Sequence, residues 1–315
     1  MIKREISFLS SNKKTKIHAI ECSPENGTFT RIFQLVHGMC EYIERYLPFI
    51  EYLTSQGFLV VGHDQLGHGQ SINTPDELGY FGEPNPAELL VQDIHILRTM
   101  TQKKFPKIPY FICGHSMGSY IVRQYICDYS NGLSGVILLG TGYMGPCQTL
   151  FALGFIQALS CFKGMKHRSN ITKKISIQSG PYKKFDTTET DINNSWISRD
   201  TEIVKALYND KKTKFDFTLN GYYGIVQAIR YCCNPTNVAK INKDVPILFV
   251  SGDDDPVGNN GEGVKKSYEV MKLIGSLDVT MKLFENARHE VLNEINKDEV
   301  YEYILDWVNK KTPSK

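Results

Sequence analysis

Apolar and polar positions follow two rhythms along this 315-residue chain, and the rhythm breaks once. Short continuous apolar runs at Ile32 to Val36, Phe58 to Val61, Tyr110 to Cys113 and Gly135 to Leu139 predict strands covered on both faces, since a half-exposed strand would alternate. Between them the period lengthens. Glu44 to Ser55 sets Leu47, Ile50 and Leu53 at helical spacing and stops at Gly57. Pro86 to Lys103 does the same with Leu90, Ile94 and Leu97, its proline in the first turn. A third helix is predicted from Met117 to about Tyr129, and Ile6 to Leu9 with Lys16 to Glu21 form a predicted antiparallel pair at the start. Helices between buried strands imply right-handed parallel crossovers. The predicted class is therefore α/β, with a mostly parallel, doubly wound sheet.

The alternation stops after Gly140. From about Thr141 to Lys240 the sequence offers an apolar helix (Thr149 to Phe162), a basic patch (Lys163, Lys166, His167, Arg168, Lys173, Lys174) and polar segments around Trp196, but no buried strand. The sheet resumes at Val245 to Val250, a helix follows from Glu262 to Ile274, Val279 to Phe284 is a last strand, and Asp298 to Asn309 closes as a helix. An insertion of that length is no plain loop. It is read as a mainly helical cap, residues 141–240, over the strand ends of a core made of residues 1–140 and 241–315. Ligands bind at those strand ends in such sheets.

Charge changes the picture by exclusion. With 36 Lys and Arg against 34 Asp and Glu the net charge is +2, so nothing in the balance points to nucleic acid. The charged opening Met1 to Glu5 leads into no apolar signal core, and no run is long enough to span a bilayer, so a soluble, cytoplasmic protein is expected. Eight cysteines include no Cys-x-x-Cys. Cys113, Cys127 and Cys161 lie in apolar stretches and are read as reduced, small hydrophobes. The adjacent pair Cys232 and Cys233 is either redox-active or a buried, incidental pair.

Candidate chemistry centres on Gly114-His115-Ser116-Met117-Gly118, which joins a predicted strand to a predicted helix. This is the nucleophile-elbow pattern: the sharp turn lifts the serine hydroxyl clear of the sheet, and the glycines allow close approach of neighbouring chain. Alone, it also fits an ordinary strand-helix turn. A serine hydroxyl needs a base, and the base needs an acid, in the chain order Ser, acid, His for this fold. The loop after the resumed strand offers Asp253, Asp254 and Asp255, and of eight histidines only His289 lies beyond it, after the last strand. Separately, an acidic loop reads as a solvated turn and a loop histidine as merely exposed; three residue types at three strand ends in order point to a triad. Oxyanion donors are then required. The Met117 N–H follows the nucleophile directly, and the turn His37-Gly38-Met39 after an early strand offers the Met39 N–H.

These residues carry a resemblance. His37-Gly38-Met39-Cys40-Glu41 with Arg45-Tyr46, Asp64-x-x-Gly67-His68-Gly69-x-Ser71, Gly114 to Gly118, and Gly252-x-x-Asp255 resemble the motifs of the monoacylglycerol lipase and lysophospholipase group of serine α/β hydrolases. The match covers roughly residues 30–140 and 245–310 and leaves the cap unplaced. The resemblance implies an α/β-hydrolase fold, Asp255 as the acid, Met39 and Met117 as oxyanion donors, a structural role for Asp64, Gly67, His68 and Gly69, and no metal or cofactor. It also implies a carboxylic ester as substrate, with a monoacylglycerol or lysophospholipid as the expected single-chain lipid. The apolar cap stripe Leu150, Phe151, Leu153, Phe155, Ile156 and Leu159 is either core or a lipid entrance, and with the nearby lysines it offers transient contact with a membrane surface. Two other readings stay open: an aminopeptidase, with Glu189, Asp191, Asp200 or Glu202 to hold a free amine, and a non-catalytic receptor on a hydrolase fold. A serine at the elbow excludes the enzymes of this fold that attack with aspartate. Oligomeric state is not readable from the sequence.

Overall fold

The computed structural model describes residues 1–312. The opening segments pair antiparallel as strands β1 (Ile2–Leu9) and β2 (Lys16–Ser23). The buried runs become β3 (Arg31–Val36), β4 (Phe58–His63), β5 (Tyr110–His115) and β6 (Gly135–Leu139), followed much later by β7 (Ile247–Gly252) and β8 (Val279–Phe284). All eight make one sheet in the order β1-β2-β4-β3-β5-β6-β7-β8, parallel from β4 onward.

Successive side chains of each strand enter opposite layers, which is why the central runs are apolar throughout. Phe33, Leu35, Phe111, Cys113, Ile137 and Leu248 pack under helices α1 (Leu47–Ser55) and α10 (Lys297–Lys311). Ile32, Val36, Ile112, Val136 and Phe249 pack on the other side, under α2 (Pro86–Lys104), α3 (Met117–Tyr129) and α9 (Glu262–Leu273). Between β6 and β7 lie α4 (Pro146–Lys163), α5 (Asn170–Ile177), α6 (Thr201–Asn209), α7 (Leu219–Cys232) and α8 (Pro235–Val238), with no sheet strand among them. Helix α7 packs on α3 and α4 and so fastens the insertion to the core.

Three expectations shift. The helix expected from Glu44 starts as a tight turn at Ile43–Tyr46 and becomes α-helical only at Leu47, because Pro48 has no N–H to give the Glu44 carbonyl. For a similar reason β7 begins at Ile247, after Pro246, whose carbonyl still accepts the Val136 N–H at 2.9 Å. Cys161 is exposed and not a core hydrophobe: α4 buries only Thr149 and Ile156, and Cys161 faces outward, whereas Cys113 and Cys127 are buried. No described helix is long and apolar enough to cross a membrane.

Candidate active site

Ser116 is the turn between β5 and α3, and it pays for that place with a left-handed backbone, φ 53° and ψ −121°. Such a conformation is costly for any residue with a Cβ and persists only where its surroundings impose it. Here the surroundings are glycines. A Cβ on Gly114 would collide with the Gly118 carbonyl, and one on Gly118 with the carbonyl oxygens of Val36 and His37. The elbow therefore presses directly against the loop after β3.

That loop is held from both sides. His37, fully buried, accepts the Gln65 N–H on Nε2 at 2.8 Å, which leaves Nδ1 protonated to donate to the Gly38 carbonyl oxygen at 2.8 Å. Burial keeps the imidazole neutral by lowering its pKa. Gly38 has no room for a side chain: a Cβ would strike the Glu41 carboxylate and lie 3.1 Å from the Ser116 Cβ. Cys40 then takes φ 54°, turning the chain away. Neither the Met39 N–H nor the Met117 N–H donates a hydrogen bond to another described residue, and both residues line the same cavity as Ser116.

Across this cavity, Asp255 and His289 meet. The imidazole Nδ1 lies 3.0 and 3.1 Å from the two oxygens of a fully buried Asp255 carboxylate, which also accepts the Ser251 hydroxyl and the Val257 N–H, each at 2.9 Å. Burial would raise the pKa of Asp255, but the facing imidazole and these hydrogen bonds outweigh it and hold the carboxyl below its ordinary value. Asp253 and Asp254 are spent elsewhere, on the Asn286 N–H and the Lys184 ammonium. Gly252 is required because a Cβ there would run into the Ala287 carbonyl, so only glycine lets the acid and base loops pack together. Ser116 and His289 both line the cavity, and among the described residues no hydrogen bond joins the hydroxyl to the imidazole. Such bonds are often long before substrate binds.

Several contacts of the site escaped sequence reasoning, some of them made by residues that the motifs contain. Arg45 donates a fork to Glu290 at 3.0 and 3.0 Å and pairs with Glu41 at 3.1 Å, joining the loop after β3 to the loop after β8. His115 extends the network to Tyr46 (2.8 Å), Glu41 (3.2 Å) and the His289 carbonyl (3.4 Å). Burial would raise the Glu41 pKa, yet Arg45 and His115 pull it well below the carboxylate range. The insertion contributes too: the His289 and Glu290 N–H groups donate to the Trp196 and Ile197 carbonyls, and the Trp196 ring lies 5.0 Å from the imidazole. Fully buried Glu294 accepts the Arg288 N–H at 2.8 Å and pairs with Arg199 at 2.9 Å, fixing the base loop. Charged side chains spread over the chain give no periodic signal; the motifs held Glu41, Arg45, Tyr46 and His115 without their partners, and Trp196 stood out as an aromatic in a polar segment.

Asp64, Gly67, His68 and Gly69 lie beside the cavity as framework. Asp64 accepts the Ile43 and Gln70 N–H groups, each at 2.8 Å, and meets His18 at 3.1 Å, while Gly67 and Ser71 close a turn. The cavity itself measures about 510 Å³ and is mainly apolar, with Tyr120, Met144, Phe151, Phe155, Ile156 and Ile225 among its walls.

Sheet order, strained serine turn and insertion together define an α/β hydrolase. The family model "Serine aminopeptidase, S33" matches residues 29–296, and the chain belongs to that family. It is a carboxylic-ester hydrolase of the monoacylglycerol lipase-like group. A carboxyl esterase of Bacillus coagulans, solved in complex with glycerol, superposes with a TM-score of 0.89 at 31% identity, covering 98% of this chain and 99% of its own. Human monoglyceride lipase is 25% identical over 288 residues, 91% of this chain and 84% of that protein. An abhydrolase domain-containing protein of Dictyostelium discoideum is 23% identical over 88% of this chain, which spans only 26% of that protein's length.

Proposed function

We propose that the protein hydrolyses esters of single-chain lipids, a monoacylglycerol or a lysophospholipid, through an acyl-serine intermediate, with residues 141–240 as its cap. Ser116 Oγ attacks the ester carbonyl while His289 Nε2 takes its proton; Asp255 holds the other nitrogen in the protonated form and stabilises the imidazolium. The Met39 and Met117 N–H groups receive the oxyanion, each contributing on the order of a hundred- to thousand-fold in rate. His289 then returns the proton to the departing alcohol, and water repeats the sequence to release the acid. The observation that carries this reading is the convergence on one apolar cavity of a strained serine, a loop with a free Met39 N–H packed against it, and an imidazole held by a buried carboxylate.

A cavity of about 510 Å³ with a largely hydrocarbon wall suits one acyl chain. The two helices after β6 support membrane contact: Phe151 (77% exposed) on α4 and Ile175 on α5 line the cavity, Leu150, Phe162 (87%) and Ile171 are exposed on the same helices, and Lys163, Lys166 and Lys174 face solvent on or between them. Apolar side chains within a basic surround suit an anionic lipid surface, as co-sedimentation with anionic vesicles at low salt would reveal.

The aminopeptidase reading has weaker support. Of the four acidic residues that the sequence offered to hold an amine, only Glu189 lines the cavity; Asp200 caps α6 and Glu202 pairs with Lys205, while the other carboxylates of the wall, Asp216, Glu41 and Glu290, are paired with Lys173 and Arg45. The test combines fluorophosphonate labelling, with mapping of the modified residue, and two substrate series. Label on Ser116 and turnover of p-nitrophenyl esters rising with chain length, without turnover of aminoacyl amides, is the expected result. Label elsewhere, or cleavage of amides alone, refutes it.

A further inference from the structure

Arg123, on α3, heads the large side chains that the fold buries without exposure, and no carboxylate pairs with it among the described residues. An uncompensated buried cation is expensive, so a chain that keeps one supplies an anion. Arg45 has two carboxylates and Arg199 has Glu294. Around Arg123 the partners are the Gly142 carbonyl at 2.7 Å, the Thr141 hydroxyl at 3.3 Å, the Cys232 carbonyl at 3.4 Å and the Cys233 sulfur at 3.5 Å, while Nε has none. The other titratable groups facing it are Tyr120, whose ring centre lies 5.8 Å away, Cys232, and Cys127, whose thiol donates to the Arg123 carbonyl.

The Cys233 sulfur accepts from the Arg123 guanidinium at 3.5 Å, while the neighbouring Cys232 thiol donates away from it, to the Ile229 carbonyl at 3.5 Å. Among the described residues nothing accepts a proton from it. A sulfur so placed is stabilised as an anion. These contacts also have a place in the fold. Thr141 and Gly142 are where the chain leaves the core for the cap, and Cys232 and Cys233 are where α7 ends and the chain returns.

We propose that Cys233 is held as a thiolate, the counter-ion of Arg123, and that this ion pair clamps both crossings of the cap onto the helix that follows Ser116. The adjacent Cys232 side chain and the Arg123 guanidinium outweigh burial and draw the Cys233 thiol below its ordinary range, whereas burial lifts Cys113 and Cys127. Seating of the cap matters to the cavity because Tyr120, Tyr143 and Met144 line it next to the clamp, and Gly140 lies against the His289 ring. Arg123 and Cys233 are positioning residues, remote from the reacting atoms.

The first arm of the test uses the unaltered protein. At about pH 7 an ordinary cysteine, pKa about 8.5, stays protonated. The native protein should then show the ultraviolet absorbance of one thiolate, lost on unfolding in urea at the same pH; a native spectrum without it overturns the proposal. The second arm rests on the ester-hydrolase reading. Cys233→Ser removes the anion and should raise KM several-fold with kcat near the parent value, and Cys233→Asp, which restores a negative charge, should recover most of the loss. Equal KM values for the two variants overturn the clamp. Should either variant fail to fold, the thiolate arm still decides. Absence of ester turnover in the unaltered protein would sink the hydrolase reading and leave the thiolate result standing.

Discussion

At the scale of single residues, the site depends on atoms that are missing as much as on those present. Ser116→Ala is expected to lower ester turnover by on the order of a million-fold, as loss of such a nucleophile does elsewhere. Thermal stability should hardly change, because the hydroxyl makes no hydrogen bond to another described residue and alanine meets the same backbone constraint. Turnover retained in that variant would refute the assigned nucleophile. Gly252→Ala should do the reverse, damaging the fold before the chemistry: its methyl would enter the Ala287 carbonyl, and a loss of about 3 kcal/mol or more is expected in urea unfolding. An unchanged midpoint would mean that the two loops are not packed as described. The glycines of the motifs were visible in the sequence, but which neighbour each must admit was not.

Between elements, the coupling that matters is ionic. Arg45, in the turn before α1, holds Glu41 beside β3 and Glu290 after β8, so one guanidinium joins the loop that offers the Met39 N–H to the loop that carries His289. Burial disfavours the charged Arg45, and the two carboxylates more than restore it, raising its pKa. Arg45→Met would leave the buried Glu290 carboxylate without a cation and Glu41 with His115 alone. A loss of about 3–5 kcal/mol is expected, with a drop in kcat because both loops relax. A variant as stable and active as the parent would show the network to be incidental. The sequence held Arg45-Tyr46 inside a motif but gave no partner, since Glu290 lies 245 positions away.

For the whole molecule, acid should be the weak direction. His63 and His68 are buried, and burial lowers both pKa values to about 3, against about 6.5 for an unfolded chain. The unfolded state therefore takes up protons first: stability is complete above about pH 6.5 and is lost progressively as pH falls toward 3. His18, raised by its hydrogen bond to Asp64, and His115, pulled down by burial but raised on balance by Glu41, act in the opposite sense and soften the fall. A urea midpoint that declines steadily from pH 7 to pH 4 is expected, and a constant one would contradict the neutral burial of these rings. The strands, their parallel order and the helices between them were legible because continuous apolar runs and helical periods are local signals, set by which faces meet water. Ser116, Asp255 and His289 were legible because each follows a strand and such ends gather at one edge of a parallel sheet. The sequence by itself thus determined the sheet and the three strand ends that carry the candidate triad. Only the tertiary structure decided the ionic ties of Arg45 and Glu294, the place of Trp196 against His289, and the pairing of Arg123 with Cys233, because a buried charge chooses its partner by distance in space, and distance in space has no period along a chain.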